Sequence, residues 1–247
     1  ITRDDAFKKP IFFNGAQFLF DKFANYMKNI SHIVVINNNL HIYTDGIYRN
    51  GYREIEAEMI KHIPNLSDAK RKEVLKYMNL ICTQAEPADA RYIAFRNGVL
   101  DVIDGVMLPF SPDLVVSNQI PWDYNPAAYD ELADLTLNKL ACQDEQIRAL
   151  LEECIGYYFF RRNELGKAFI LTGDKSNGKS TFLDLVKAIL VDENISALDL
   201  KELGDRFSTS MMFGKLANIG DDIGDDFLQG TQVSMFKKIV TGNRIKA

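Results

Sequence analysis

Lys167-Ala168-Phe169-Ile170-Leu171-Thr172-Gly173-Asp174-Lys175-Ser176-Asn177-Gly178-Lys179-Ser180-Thr181 is the stretch on which the fold turns. A short apolar run, Ala168 to Leu171, leads into a loop bounded by glycines, and the loop closes on Gly178-Lys179-Ser180-Thr181. Behind it Phe182, Leu183, Leu185, Val186, Ile189 and Leu190 recur at helical spacing. The string is Gly-x4-Gly-Lys-Ser/Thr with the strand before it and the helix after it that a phosphate-cradling loop requires. Gly173 and Gly178 allow the turns that aim backbone amides at phosphate oxygens, and a helix N-terminus adds partial positive charge. The expected ligands are therefore ATP and Mg²⁺, with Gly173, Asp174, Lys175, Ser176, Asn177, Gly178, Lys179, Ser180 and Thr181 around the nucleotide. Lys179 is the expected catalytic cation at the β- and γ-phosphates, and the Ser180 hydroxyl is the expected metal ligand. A glycine-rich turn with a solvated lysine is the alternative reading of the same residues.

Hydrolysis also needs a carboxylate at the end of a neighbouring buried strand. Leu216-Ala217-Asn218-Ile219-Gly220-Asp221-Asp222 offers one, with Asp221 expected on the metal side and Asp222 as the general base or water-orienting carboxylate. The competing reading is an acidic surface loop that runs on through Asp225 and Asp226. Position favours the first, because the interval from Lys179 holds one helix, one strand near 194–198 and a short helical connection, a compact AAA+-like layout. No Asn-Lys-x-Asp guanine reader follows the loop, so ATP is expected rather than GTP.

Upstream the period changes several times. Residues 12–29 open on the Asn14-Gly15 turn and continue as a helical stripe through Phe18, Leu19, Phe23, Tyr26 and Met27. Segments 32–36, 40–43 and 47–49, rich in Ile, Val and Tyr and separated by Asn37-Asn38-Asn39 and Asp45-Gly46, predict a short meander. Helices are predicted over 53–63, ending before Pro64, and from an N-cap at Ser67 through Val74, Leu75, Met78, Ile81 and Cys82. A second β-rich patch lies between Pro87 and Pro126. Helices at about 127–141 and 143–160 follow, the latter with Ile147, Leu150, Leu151, Cys154, Ile155 and Tyr158 as one stripe. The expected architecture is an α+β domain over 1–142, then an α/β P-loop domain over 143–247 with a central, mainly parallel sheet, incomplete at its C-terminus.

Bulk properties set the limits. A chain of 247 residues suits two domains, and a net charge of −5 confines any nucleic-acid contact to a local patch or channel. No run of about 18 apolar residues and no signal-peptide pattern occurs, so no membrane partner is expected and the cytoplasm is the expected setting. Cys82, Cys142 and Cys154 are widely and irregularly spaced and are read as buried thiols, while His32, His41 and His62 have no metal-ligand spacing. The chain starts at Ile1 and stops in mid-pattern after Thr241, which is read as a fragment.

In this order the segments resemble the superfamily 3 helicases, in particular the primase-helicase proteins of phages, plasmids and large DNA viruses. Phe95-Arg96-Asn97-Gly98-Val99-Leu100-Asp101, Ser111-Pro112-Asp113 and Asn118-Gln119-Ile120-Pro121 are similar to the region before the helicase core. Leu151 to Tyr157, Asn177 to Thr181 and Lys215 to Ile219 continue the likeness, and Phe236 to Lys246 resembles a helix leading into a DNA-contacting hairpin. The resemblance implies ATP hydrolysis coupled to translocation on single-stranded DNA and duplex unwinding, in a homohexameric ring whose first domain is a collar. It implies phosphate contacts from Lys237, Lys238, Arg244 and Lys246. The family's acidic pair often ends in Glu, whereas both members here are Asp. Its sensor asparagine and arginine finger would lie past Ala247, and a primase domain before Ile1. Outside the resemblance, a small-molecule kinase, a packaging ATPase and a nucleotide-binding assembly or initiator module with little turnover remain open. The kinase reading lacks an Arg-rich lid after Asp222.

Overall fold

Phe13–Asn14 (β1) and Gln17–Phe18 (β2) pair antiparallel around the Asn14-Gly15 turn, so Phe18 belongs to a hairpin and the first helix starts only at Phe20. The structure, a computed structural model, describes residues 12–205, 208–220, 223 and 231–243. Helix α1 (Phe20–Ile30) buries Phe23, Ala24 and Met27. The meander follows as β3 (Val34–Ile36), β4 (Asn39–Thr44) and β5 (Ile47–Asn50), antiparallel in that order, with Asn37, Asn38 and Asp45 at the positive φ that tight turns demand. Helices α2 (Tyr52–His62) and α3 (Asp68–Ile81) come next, and α3 is flanked by Ser67 as expected, although no side-chain capping bond forms there.

These elements share one core of Phe18, Phe23, Met27, Ile33, Leu40, Ile55, Met59, Val74 and Met78. Residues 110–117 rejoin them from further along the chain. Tyr48 N–H donates to Val116 O (2.8 Å), Ala88 N–H to Val115 O (2.8 Å) and the Tyr48 hydroxyl to Pro112 O (2.7 Å). The unit is thus residues up to 88 plus 110–117.

The other unit takes 89–109 and 118 onward. Its sheet has the order β8 (Val106–Leu108), β7 (Gly98–Asp101), β6 (Tyr92–Phe95), β9 (Gln119–Ile120), antiparallel except for the parallel β6–β9 pair. Arg91 clamps the almost fully buried Asp101 with two donors and reaches Asp104 as well. Helices α4 (Glu131–Leu140) and α5 (Glu145–Phe159) form a hairpin, each N-capped by an aspartate, Asp130 and Asp144. Then come α6 (Lys179–Leu190), β10 (Ile195–Ser196), β11 (Ala217–Asn218) and α7 (Thr231–Val240). Phe95, Leu100 and Ile120 of the sheet share a core with Leu137, Cys154, Phe182, Val186, Leu190 and Ile219.

Three expectations change. Residues 167–173 form no strand and have no ladder partner among the described residues, and the parallel sheet there is the single β10–β11 pair, two residues long. Segment 168–170 and β11 both line one cavity of about 350 Å³. The stripe on α5 is buried only in its second half: Cys154 is enclosed, while Ile147 and Leu150 are exposed because Arg148, tied to Asp134 and Glu152, occupies the face toward α4. Cys142 is exposed, not buried, since it and Gln143 form the α4–α5 turn, both at positive φ. In sequence the compact units interleave. No helix among the described residues is long and apolar enough to cross a membrane.

Candidate functional site

The glycine-bounded loop enters α6 through Gly178, which sits in the left-handed region at φ +89. The backbone conformation there favours glycine, and an added Cβ would also displace the Leu140 side chain of α4. Gly173 at φ +145 is pressed by the Asn177 side chain in the same way, and Ser176 is held at φ +60. Repeated changes of φ sign along a loop turn successive N–H groups toward one side, the geometry of anion-binding nests. The N-cap of α6 is Gly178, so no cap side chain accepts from the first-turn amides.

Lys179 is half-buried, and its Nζ donates to Gly173 O (2.8 Å), Asp174 O (2.8 Å) and Asn177 Oδ1 (3.0 Å). Asp174, Lys175, Ser176, Asn177, Ser180 and Thr181 are exposed. Of the loop residues named from the sequence, Gly173, Asp174 and Asn177 bond Lys179 directly. The helix behind them is anchored by Phe182, Val186 and Leu190, all buried in the core of this unit.

Beside the loop's helix, β10 and β11 run parallel with Ile195 opposite Ala217 and Ser196 opposite Asn218. Asn218, which interrupts an otherwise apolar run, has a local reason to be polar. Its Oδ1 accepts from Ser196 Oγ (2.8 Å) and Leu198 N (2.9 Å), and its Nδ2 donates to Leu198 O (2.8 Å). The amide thus extends the pairing where the ladder stops. Ile219 follows, buried, and Gly220, exposed. Asp221 and Asp222 lie outside the described residues, as do Asp225 and Asp226. Lys237 and Lys238 are exposed in the last turn of α7. Arg244 and Lys246 also lie outside the described residues.

Two features escaped sequence reading. Asn194 is buried, donates to Gln119 O (2.8 Å) and Leu190 O (2.9 Å), and accepts from Asn118 Nδ2 (3.1 Å), which also bonds Gly214 O (2.8 Å). This stitches the start of β9 to the end of α6. Leu140 at Gly178 is the second, and nothing in the sequence marks which leucine of α4 meets the loop. Among the described residues no cluster of His, Cys, Asp and Glu could by itself hold a metal ion.

Comparison with known proteins gives two matches along the chain. Residues 7–156 match the family described as D5 N terminal like. Residues 171–247, which contain the loop and Lys179, match a family of unknown function, DUF5906. No curated protein matches the chain.

Proposed function

The chain belongs to the D5 N-terminal-like family, a domain of phage and viral primase-helicase-like replication proteins, and from that premise we propose that it binds and hydrolyses ATP to drive a DNA helicase. The observation that carries this reading is the loop at 173–181, with its positive-φ turns, its uncapped helix start and Lys179 at its centre. Such a loop takes the phosphates of ATP on backbone amides and on the lysine. Magnesium would be held by the Ser180 hydroxyl together with Asp221. When bound it neutralises developing charge on the phosphates. Asp222 is proposed to orient or deprotonate the attacking water. Lys237, Lys238, Arg244 and Lys246 are proposed to meet DNA phosphates in the channel of a homohexamer, whose neighbouring protomer supplies the arginine.

The direct test is nucleotide-dependent melting. A ligand held only by the folded state at about 100 times its dissociation constant adds roughly 2.7 kcal/mol, and Lys179→Ala should remove most of that shift. No shift with millimolar ATP and Mg²⁺ would remove the nucleotide site. Helicase function is then tested by ATPase rate with and without single-stranded DNA. A motor responds strongly, whereas an assembly or initiator module with the same loop does not. Each phosphate-contacting cation lost should lower the salt slope of DNA binding by about one unit on every sequence. Lys238→Ala and Arg244→Ala that leave both salt slope and DNA stimulation unchanged would remove the proposed DNA contacts.

A further inference from the structure

The inference concerns Asn177 and rests on the nucleotide site proposed above. An ammonium group has three donors. Those of Lys179 are all satisfied inside its own loop, by two main-chain oxygens, Gly173 O and Asp174 O, and by the side-chain oxygen of Asn177. A phosphate can reach this lysine only by exchanging at least one of these bonds. The main-chain acceptors come with the loop's path, while Asn177 contributes an acceptor that another residue type would not.

Its amide also lies against Gly173. The Nδ2 atom lies so close over Gly173 that a Cβ there would collide with it, while the Oδ1 atom faces Lys179 at 3.0 Å. One side chain thus bridges the first glycine of the loop and the lysine at its end. We propose that Asn177 is an internal competitor of phosphate: its amide oxygen holds the Lys179 donor that a nucleotide phosphate oxygen takes over on binding. The competitor is neutral and the phosphate anionic, and charge-assisted bonds are roughly twice as strong as neutral ones. Nucleotide therefore displaces the amide, at an affinity lower than the loop would otherwise reach. Asn177 positions the lysine and makes nucleotide exchange easier.

The test uses the whole chain with Mg²⁺ and a fluorescent ATP or ADP analogue. Asn177→Leu keeps bulk over Gly173 and removes the acceptor; Asn177→Ala removes both. Each should bind the analogue several-fold more tightly than the parent, and Asn177→Asp, which sets a carboxylate on the ammonium, at least tenfold more weakly. Melting without nucleotide supplies a second readout. Asn177→Ala should lower the melting temperature of the parent but not of Lys179→Ala, since the bond it removes is already gone there. If the parent and Asn177→Asp bind while Asn177→Leu and Asn177→Ala bind no more tightly than the parent, the competitor role is wrong and the nucleotide site stands. If Asn177→Ala lowers melting equally in both backgrounds, the side chain only packs on Gly173, and the proposal is likewise overturned. A parent that binds neither analogue removes the site and this proposal together.

Discussion

His41 stands in β4 between Leu40 and Ile42, buried, with Nδ1 2.9 Å from Asn39 O. Burial pulls its pKa below the ordinary 6.5, despite the backbone oxygen that favours the protonated ring. Because the folded-state pKa is depressed, the unfolded chain takes up the proton first, and stability present above pH 6.5 is lost as pH falls through the folded value. The unit formed by residues up to 88 and 110–117 should melt at lower temperature at pH 5 than at pH 7.5, and His41→Gln should flatten that slope. An unchanged slope would show that the ring titrates without consequence for the fold. Asp101 works in a lower window. The Arg91 guanidinium, then the backbone N–H groups of Asp104 and Ile103, hold its carboxyl below 3.8, so its contribution persists until strongly acid pH. Arg91→Ala should therefore raise the pH at which the other unit unfolds in acid, read as loss of near-UV circular dichroism.

At the scale of elements, α4 acts as a backstop to the loop, since Leu140 fills the space that a side chain at 178 would need. Leu140→Ala should weaken ATP binding about tenfold, or about 1.4 kcal/mol, while the exposed Leu135→Ala should not; equal affinities would show that α4 is a bystander. For the short parallel pair, Asn218→Ala leaves both Leu198 main-chain groups without their side-chain partners and should cost about 2 kcal/mol in urea unfolding. Elements with strong periodicity were legible from the sequence: the meander, α2, α3, α5 and α6 fall within a few residues of expectation, because alternation and helical stripes are local signals. What was not legible depends on partners. Phe18 reads as part of a helical stripe but pairs across a hairpin with Phe13. Residues 167–172 read as a strand, yet strand pairing needs a neighbour, which sequence cannot supply. The loop itself was named residue by residue from its glycines and lysine, whereas the Leu140 contact joins positions far apart in the chain.

At the scale of the whole chain, the family match ends at 156, but the core of the second unit does not. Phe95, Leu100 and Ile120 are covered in part by Phe182, Val186, Leu190 and Ile219. A piece spanning 12–156 should keep slow hydrogen exchange in α1 and α3 and lose it in β6 and β7; equal protection in both would show that the sheet holds its core without the later residues. The interleaving also orders events on the ribosome. The first unit has all its described residues once 117 has emerged, whereas the second waits for Ile219, about 100 residues later, roughly 5–20 s at common elongation rates. Through that interval the nascent chain carries an apolar sheet that is only partly covered while the first unit is already complete, so a chaperone that holds apolar segments should engage it after residue 120 is exposed and leave it once β11 is synthesised.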